Sequence, residues 1–241
     1  MVKKITAFNL LLLLALVLPA TAPAQTYRIF KGDTINRTDV KGLKQGVWRR
    51  YYPSDNLFSE TYFKNGKPVS STKTWYESGK LQAELVYTAD GKTGRLTSYH
   101  KNGKVKAVGK YINQQKDSTW NYYFENDTLS AVETYKNGVK EGVWKIYYPS
   151  GILSEQTTWL HDKKNGPYKS YFSDGKIKME AVYANDTFAG PVQLYYMNGK
   201  PLTTGNYMNG VKQGNWIYWN DNGAKDSTEV WKAGILLNTI R

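Results

Sequence analysis

The chain of 241 residues contains no cysteine and only two histidines. The first absence excludes a disulfide-stapled scaffold, a thiol enzyme, any cysteine-based zinc or iron–sulfur site and a lipid-modified N-terminal cysteine. Long hydrophobic runs are missing too. Beyond the N-terminus nothing approaches the roughly 18 consecutive apolar residues that span a bilayer, so no transmembrane helix is expected in the mature chain. Acidic residues are outnumbered, 20 against 33 Lys and Arg, for a formal charge of +13. That balance suits anionic envelope polymers, acidic lipids and nucleic acid alike, and names no partner by itself.

What the N-terminus does contain is an export signal. Lys3 and Lys4 precede an apolar run from Leu10 to Leu18, followed by Ala20-Thr21-Ala22-Pro23-Ala24. This order of positive, greasy and small residues reads as a secretory signal peptide over residues 1–24, cleaved after Ala24. An uncleaved anchor is the alternative, but the apolar stretch is short for a spanning helix and leaves the Ala-Pro-Ala without a role. The mature chain is expected to begin at Gln25 and to reside in the periplasm or outside the cell.

The strongest internal signal is a period of 24 residues. Leu57, Leu81, Val105, Leu129, Leu153, Ile177, Pro201 and Lys225 follow one another at that interval without a gap. Six residues before each anchor stands an aromatic: Tyr51, Trp75, Tyr99, Tyr123, Tyr147, Tyr171, Tyr195 and Trp219. Six residues after it stands another: Phe63, Tyr87, Tyr111, Tyr135, Trp159, Tyr183, Tyr207 and Trp231. The organisation read from these columns is a lead-in with half a repeat over 25–45, a repeat array over 46–234 and a tail over 235–241.

Each repeat carries turn chemistry between two aromatic or aliphatic runs, as at Asn102-Gly103, Ser150-Gly151 and Asp174-Gly175. Asn-Gly and Asp-Gly reach positive φ at low cost, which predicts a tight type I′ hairpin at this position. A second signal, at Asn65-Gly66, Asn137-Gly138 and Asn209-Gly210, leads into the next repeat. The expected fold is all-β: an elongated, single-layer antiparallel meander of about eight 24-residue hairpins. A hairpin centred on the Gly-containing pair sets Trp144 opposite Thr157, Ile146 opposite Glu155 and Tyr148 opposite Leu153. Alternation in Leu81, Ala83, Leu85 and Tyr87 marks a half-buried strand. By the same parity the Tyr51 column falls on the more polar face, where it is expected to form an aromatic ladder.

Gly46-Val47-Trp48-Arg49-Arg50-Tyr51-Tyr52 and Gly142-Val143-Trp144-Lys145-Ile146-Tyr147-Tyr148-Pro149-Ser150-Gly151 resemble the variant MORN repeat, which in bacteria is often labelled the YwqK-type antitoxin family. The resemblance covers about residues 41 to 234. It implies a meander of hairpins associated with scaffolding, protein contacts and sometimes lipid contacts. Thr72 and Val192 depart from it by replacing Trp, and an antitoxin acting in the cytoplasm would not need the export signal.

Catalytic patterns are sparse. His100 and His161 lie in different columns, and each reads as a stand-in for Tyr or as a loop residue. Glu60 and Glu84 share a column two strands apart, roughly 9.6 Å, near the upper end of the separation used by inverting glycosidases, but they read as solvated strand carboxylates. No nucleophile elbow, phosphate loop or metal-ligand spacing is present in the sequence. The expectation is a non-enzymatic protein with no catalytic residue, no metal and no cofactor.

Binding fits better. The candidate surface is the column Tyr51, Trp75, Tyr99, Tyr123, Tyr147, Tyr171, Tyr195 and Trp219, whose rings suit a protein interface or a sugar face. The competing reading is that these rings only stabilise a one-layer sheet. The favoured partner is another envelope or secreted protein, with a glycan as the alternative. An antitoxin-like neutraliser and a membrane-surface binder rank lower, and nucleic acid is not expected.

Overall fold

The computed structural model describes residues 24–241, so the expected signal segment lies outside the described residues except for Ala24. No helix among them is long and apolar enough to cross a membrane. After a small two-stranded sheet, Arg28–Phe30 with Asp33–Ile35, the chain forms one antiparallel meander. Its first hairpin pairs Lys44–Tyr51 with Leu57–Lys64, the second Lys67–Trp75 with Leu81–Tyr87, and the third Thr93–Tyr99 with Val105–Ile112. The fourth pairs Gln115–Tyr123 with Leu129–Lys136, and the pattern runs on to the eighth, Val211–Trp219 with Lys225–Lys232.

The sheet is open. Its ladders join strands that are neighbours in the chain, and all six residues of the last strand, Ile235–Ile240, are exposed along an unpaired edge. The segment expected as a tail thus supplies the final strand. Among the described residues the small sheet covers only the start of the meander, with Phe30 stacked on Tyr51 at 4.1 Å and Asp33 paired with Arg49 at 2.8 Å, and no second layer covers the rest. The accessible surface of 16080 Å² far exceeds the roughly 11,000 Å² of a compact monomer of this mass.

Two turn types alternate, and their placement corrects the sequence reading. At Tyr148-Pro149-Ser150-Gly151 the Gly151 amide donates to the Tyr148 carbonyl at 2.8 Å, and the Tyr148 amide to the Ile152 carbonyl at 2.8 Å. Only Gly151 has positive φ there, at 86°. This is a type I turn closed by a left-handed glycine, and the same bonds recur at Tyr76–Gly79, His100–Gly103, Phe172–Gly175 and Tyr196–Gly199. Pro149, fixed near φ −65°, fits the second position of such a turn. The type I′ turns sit at the other end, between repeats, as at Asn65 (φ 51°) with Gly66 (φ 77°).

The misplaced turn shifts one pair only. Trp144 lies opposite Thr157 and Ile146 opposite Glu155 as expected, but Tyr147, not Tyr148, faces Leu153, because a bulge between Ile146 and Tyr147 absorbs one residue.

Side chains also tie repeat to repeat. The Tyr52 hydroxyl donates to the Trp75 carbonyl at 2.8 Å, and Tyr76, Tyr148 and Tyr196 repeat the bond to Tyr99, Tyr171 and Trp219 at the same distance. His100 occupies this column and bonds the Tyr123 carbonyl through Nε2 at 2.8 Å, a stand-in for tyrosine. His161 lies in a turn with φ 50°.

Turn aspartates contribute to the response to acid. Asp90 accepts from Thr88 Oγ1 at 2.7 Å and from the amides of Thr93 at 3.0 Å and Lys92 at 2.8 Å, which hold its carboxyl well below the usual range. The Leu43 amide does the same for Asp39, and the Lys176 amide for Asp174. A depressed native pKa gives stability that is complete above the unfolded value of about 3.9 and is lost as pH falls through the native value. Urea midpoints should therefore drop between about pH 4 and pH 2, and Asp90→Asn should flatten that slope.

Candidate interaction surface

Opposed residues point to the same side of a sheet and successive residues to opposite sides, so the register divides the chain into two faces. One face carries Trp48, Thr61 and Phe63 and their counterparts in later repeats. The other carries Arg49, Tyr51 and Glu60 and theirs.

The first face holds most of the buried residues, the exceptions being Ile35 in the small sheet and Thr228 on the other face. Trp120 and Trp216 are 2% and 3% exposed, and Ala107, Ala181, Val192, Thr157 and Thr203 are buried beside them. Trp120 lies against Gly109, where an added Cβ would come within 2.0 Å of the indole. Its Nε1 donates to the Lys110 carbonyl at 3.1 Å, and Trp144 does likewise to Thr134 at 3.0 Å. Both carbonyls lie beside irregularities in the ladder between repeats, and that of Thr134 accepts a second bond from the Glu141 amide at 3.0 Å.

A lysine thirteen residues before the anchor then lies over the rings. Lys44 Nζ is 4.4 Å from the centroid of Trp48 and 4.9 Å from that of Phe63. Lys140 is 4.8 Å from Trp144 and 4.3 Å from Trp159, and Lys212 is 4.4 Å from Trp216 and 4.5 Å from Trp231. Burying the ammonium against two ring faces combines cation–π attraction with shielding of the aromatic surface from water. The periodic lysines and tryptophans were visible in the sequence, yet only the register shows that they meet.

At Lys116 and Lys212 a carboxylate joins the rings. Glu133 Oε2 accepts from the Tyr135 hydroxyl at 2.8 Å, while Lys116 bonds the Tyr122 hydroxyl. Glu229 Oε2 accepts from Tyr218 at 2.7 Å and from Trp231 Nε1 at 2.9 Å, with Lys212 Nζ at 3.4 Å. Burial first, and then the neighbouring Glu133, push the Tyr122 and Tyr135 hydroxyls well above their ordinary pKa. Burial opposes charge on Glu229, but the bonds from Tyr218 and Trp231 outweigh it and keep the carboxyl below its ordinary value. These groups satisfy one another within the face.

The second face carries the column singled out in the sequence. Tyr51, Trp75, Tyr99, Tyr123, Tyr147, Tyr171, Tyr195 and Trp219 are all half-buried, one per repeat. Their expected aromatic ladder does not form. Among the described residues, ring contacts join the Trp48 column to the Phe63 column, as in Tyr111–Trp120 at 4.9 Å and Tyr207–Trp216 at 5.1 Å, and none joins two members of the Tyr51 column. The reason is spacing: consecutive members sit two strands apart, roughly 9.6 Å, beyond stacking distance. Ion pairs share this face with the rings. Arg49 meets Glu60 at 2.7 Å, Lys73 meets Glu84 at 3.4 Å, and Lys169 meets Glu180 at 2.7 Å. Tyr195 donates to Glu180 Oε2 at 3.0 Å. Glu60 and Glu84 are thus each engaged by a cation, and among the described residues no cluster of His, Asp or Glu could hold a metal.

The profile of the MORN repeat variant matches residues 44–65, 71–89, 92–113, 140–161 and 164–185. The chain belongs to the MORN repeat variant family. The MORN match identifies the repeat and separates out no YwqK-type subgroup. Comparison with curated proteins gives no match. Among solved structures, a chain in "Crystal Structure of TcdB2-TccC3-Cdc42" aligns with 83% of this chain and 15% of its own length, at 10% identity and a TM-score of 0.21. This chain therefore spans a small part of that one, and likeness at this level carries no argument about fold or function.

Proposed function

We propose that this MORN-repeat chain is an exported, non-enzymatic scaffold whose sheet holds another envelope or secreted protein. The observation that carries this reading is the half-exposed column from Trp75 to Trp219, which continues beyond Tyr51, itself stacked under Phe30, along one open face among charged pairs. Tyr and Trp anchors within a polar surround are the residue types that dominate protein interfaces. The acids on this face are paired with Arg and Lys, which supports binding over general acid–base chemistry. The signal-like N-terminus supports delivery to the periplasm or beyond.

The test is capture from envelope extract with the mature chain. The expected result is one protein in stoichiometric amount, lost when Tyr123, Tyr147 and Tyr171 are replaced together by Ala. Background alone, or capture indifferent to the triple replacement, contradicts it.

A glycan is the second reading, favoured by rings that leave one another free and recur once per repeat. Stacking on sugar rings would alter tryptophan fluorescence, because Trp75 and Trp219 belong to the column. A panel of soluble polysaccharides that leaves the emission unchanged removes this reading.

A further inference from the structure

On the Trp48 face one position decides how each repeat fills the space between the rings that follow its anchors. Lys44, Lys116, Lys140, Lys164 and Lys212 occupy it with an ammonium over aromatic rings. The seventh repeat has lost its tryptophan to Val192, and there Phe188 takes the position instead. Its ring stacks between Tyr183, at 4.5 Å and 24°, and Tyr207, at 5.3 Å and 26°.

The second and third repeats lack both solutions. Thr72 and Leu96 stand where the tryptophan would be, and Pro68 and Lys92 stand where Phe188 or a caged lysine would be. The register is otherwise the same, with Phe63 opposite Pro68 as Tyr183 is opposite Phe188. The result is a cleft of about 740 Å³ whose walls include Phe63, Tyr87, Tyr111, Leu85 and Pro68, with Lys92, Asn113 and Gln114 among its polar lining. The rings of Phe63 and Tyr87 correspond to those that enclose Phe188. Pro68 stands at the Phe188 position and supplies no aromatic ring to that space.

We infer that this cleft receives an aromatic side chain of a partner polypeptide, inserted between Phe63 and Tyr87 as Phe188 is inserted between Tyr183 and Tyr207. The inference rests on the scaffold reading and supplies an anchor that reading does not contain. A cationic guest fits less well, because the tryptophan face used by the lysine cages is absent and Lys92 already brings positive charge to the site.

The test uses the full chain and three probes: N-acetyltyrosinamide, tetramethylammonium and cellobiose. A single ring has few atoms, so affinity in the millimolar range is expected, read as saturable amide shifts at Gly66, Gly91 and Gly94. Pro68→Phe should abolish the response by supplying the ring from within, and Phe63→Leu should weaken it about tenfold with the remaining spectrum unchanged, since one stacking wall is lost. Absence of saturation, a stronger response to either other probe, or full binding by a folded Pro68→Phe protein would overturn the inference. Capture of the envelope partner by that same variant, undiminished, would leave the scaffold standing and remove the cleft from it.

Discussion

Trp120→Ala is expected to cost about 3–5 kcal/mol, the largest loss of any single truncation in the array. The side chain is 2% exposed and stands edge-on to Tyr111 at 4.9 Å, and Lys116 Nζ lies 4.7 Å from its centroid. Truncation removes those contacts and leaves the Lys110 carbonyl without its 3.1 Å bond from Nε1. Because an open repeat array is stabilised by neighbour-to-neighbour contact, the loss should appear as early unfolding around the fourth hairpin. Denaturant melts with hydrogen exchange measure both effects. Tyr123→Ala, on the opposite face and half-buried, should cost about 1 kcal/mol. Equal costs would mean that the two faces have been exchanged.

Gly109→Ala should destabilise by about 2–3 kcal/mol, although it adds only one methyl group. The backbone there is not left-handed, so φ is not the obstacle. The obstacle is the indole: a Cβ would come within 2.0 Å of Trp120 Cδ2 and 2.2 Å of Cε2. Gly205 meets Trp216 in the same way, at 2.2 Å. The diagnostic is a double-mutant cycle. In a Trp120→Ala background the ring is gone, and Gly109→Ala should then cost close to nothing, which gives a large coupling energy. Additive costs would place the fault elsewhere in the strand.

Much of this fold was legible because the period of 24 residues keeps every column in phase. The strands, the antiparallel order, the Trp144–Thr157 pair and the polar setting of the Tyr51 column follow from spacing and alternation. The turn type did not, although Pro149 carried the signal: a residue locked near φ −65° suits a type I turn that starts at Tyr148 and leaves Gly151 to close it. The lysine cages were hidden for a different reason. Lys140 meets Trp144 and Trp159 only after the hairpin folds back, and no linear spacing specifies that contact without the register. The cleft at Phe63 and Tyr87 was harder still, since it is defined by residues that depart from the repeat.

Small-angle scattering from residues 25–241 tests the open meander most directly. About eighteen strands at about 4.8 Å give a rod near 85 Å and a radius of gyration of about 25 Å. A value of about 18 Å, expected of a compact globule of this length, would contradict the account.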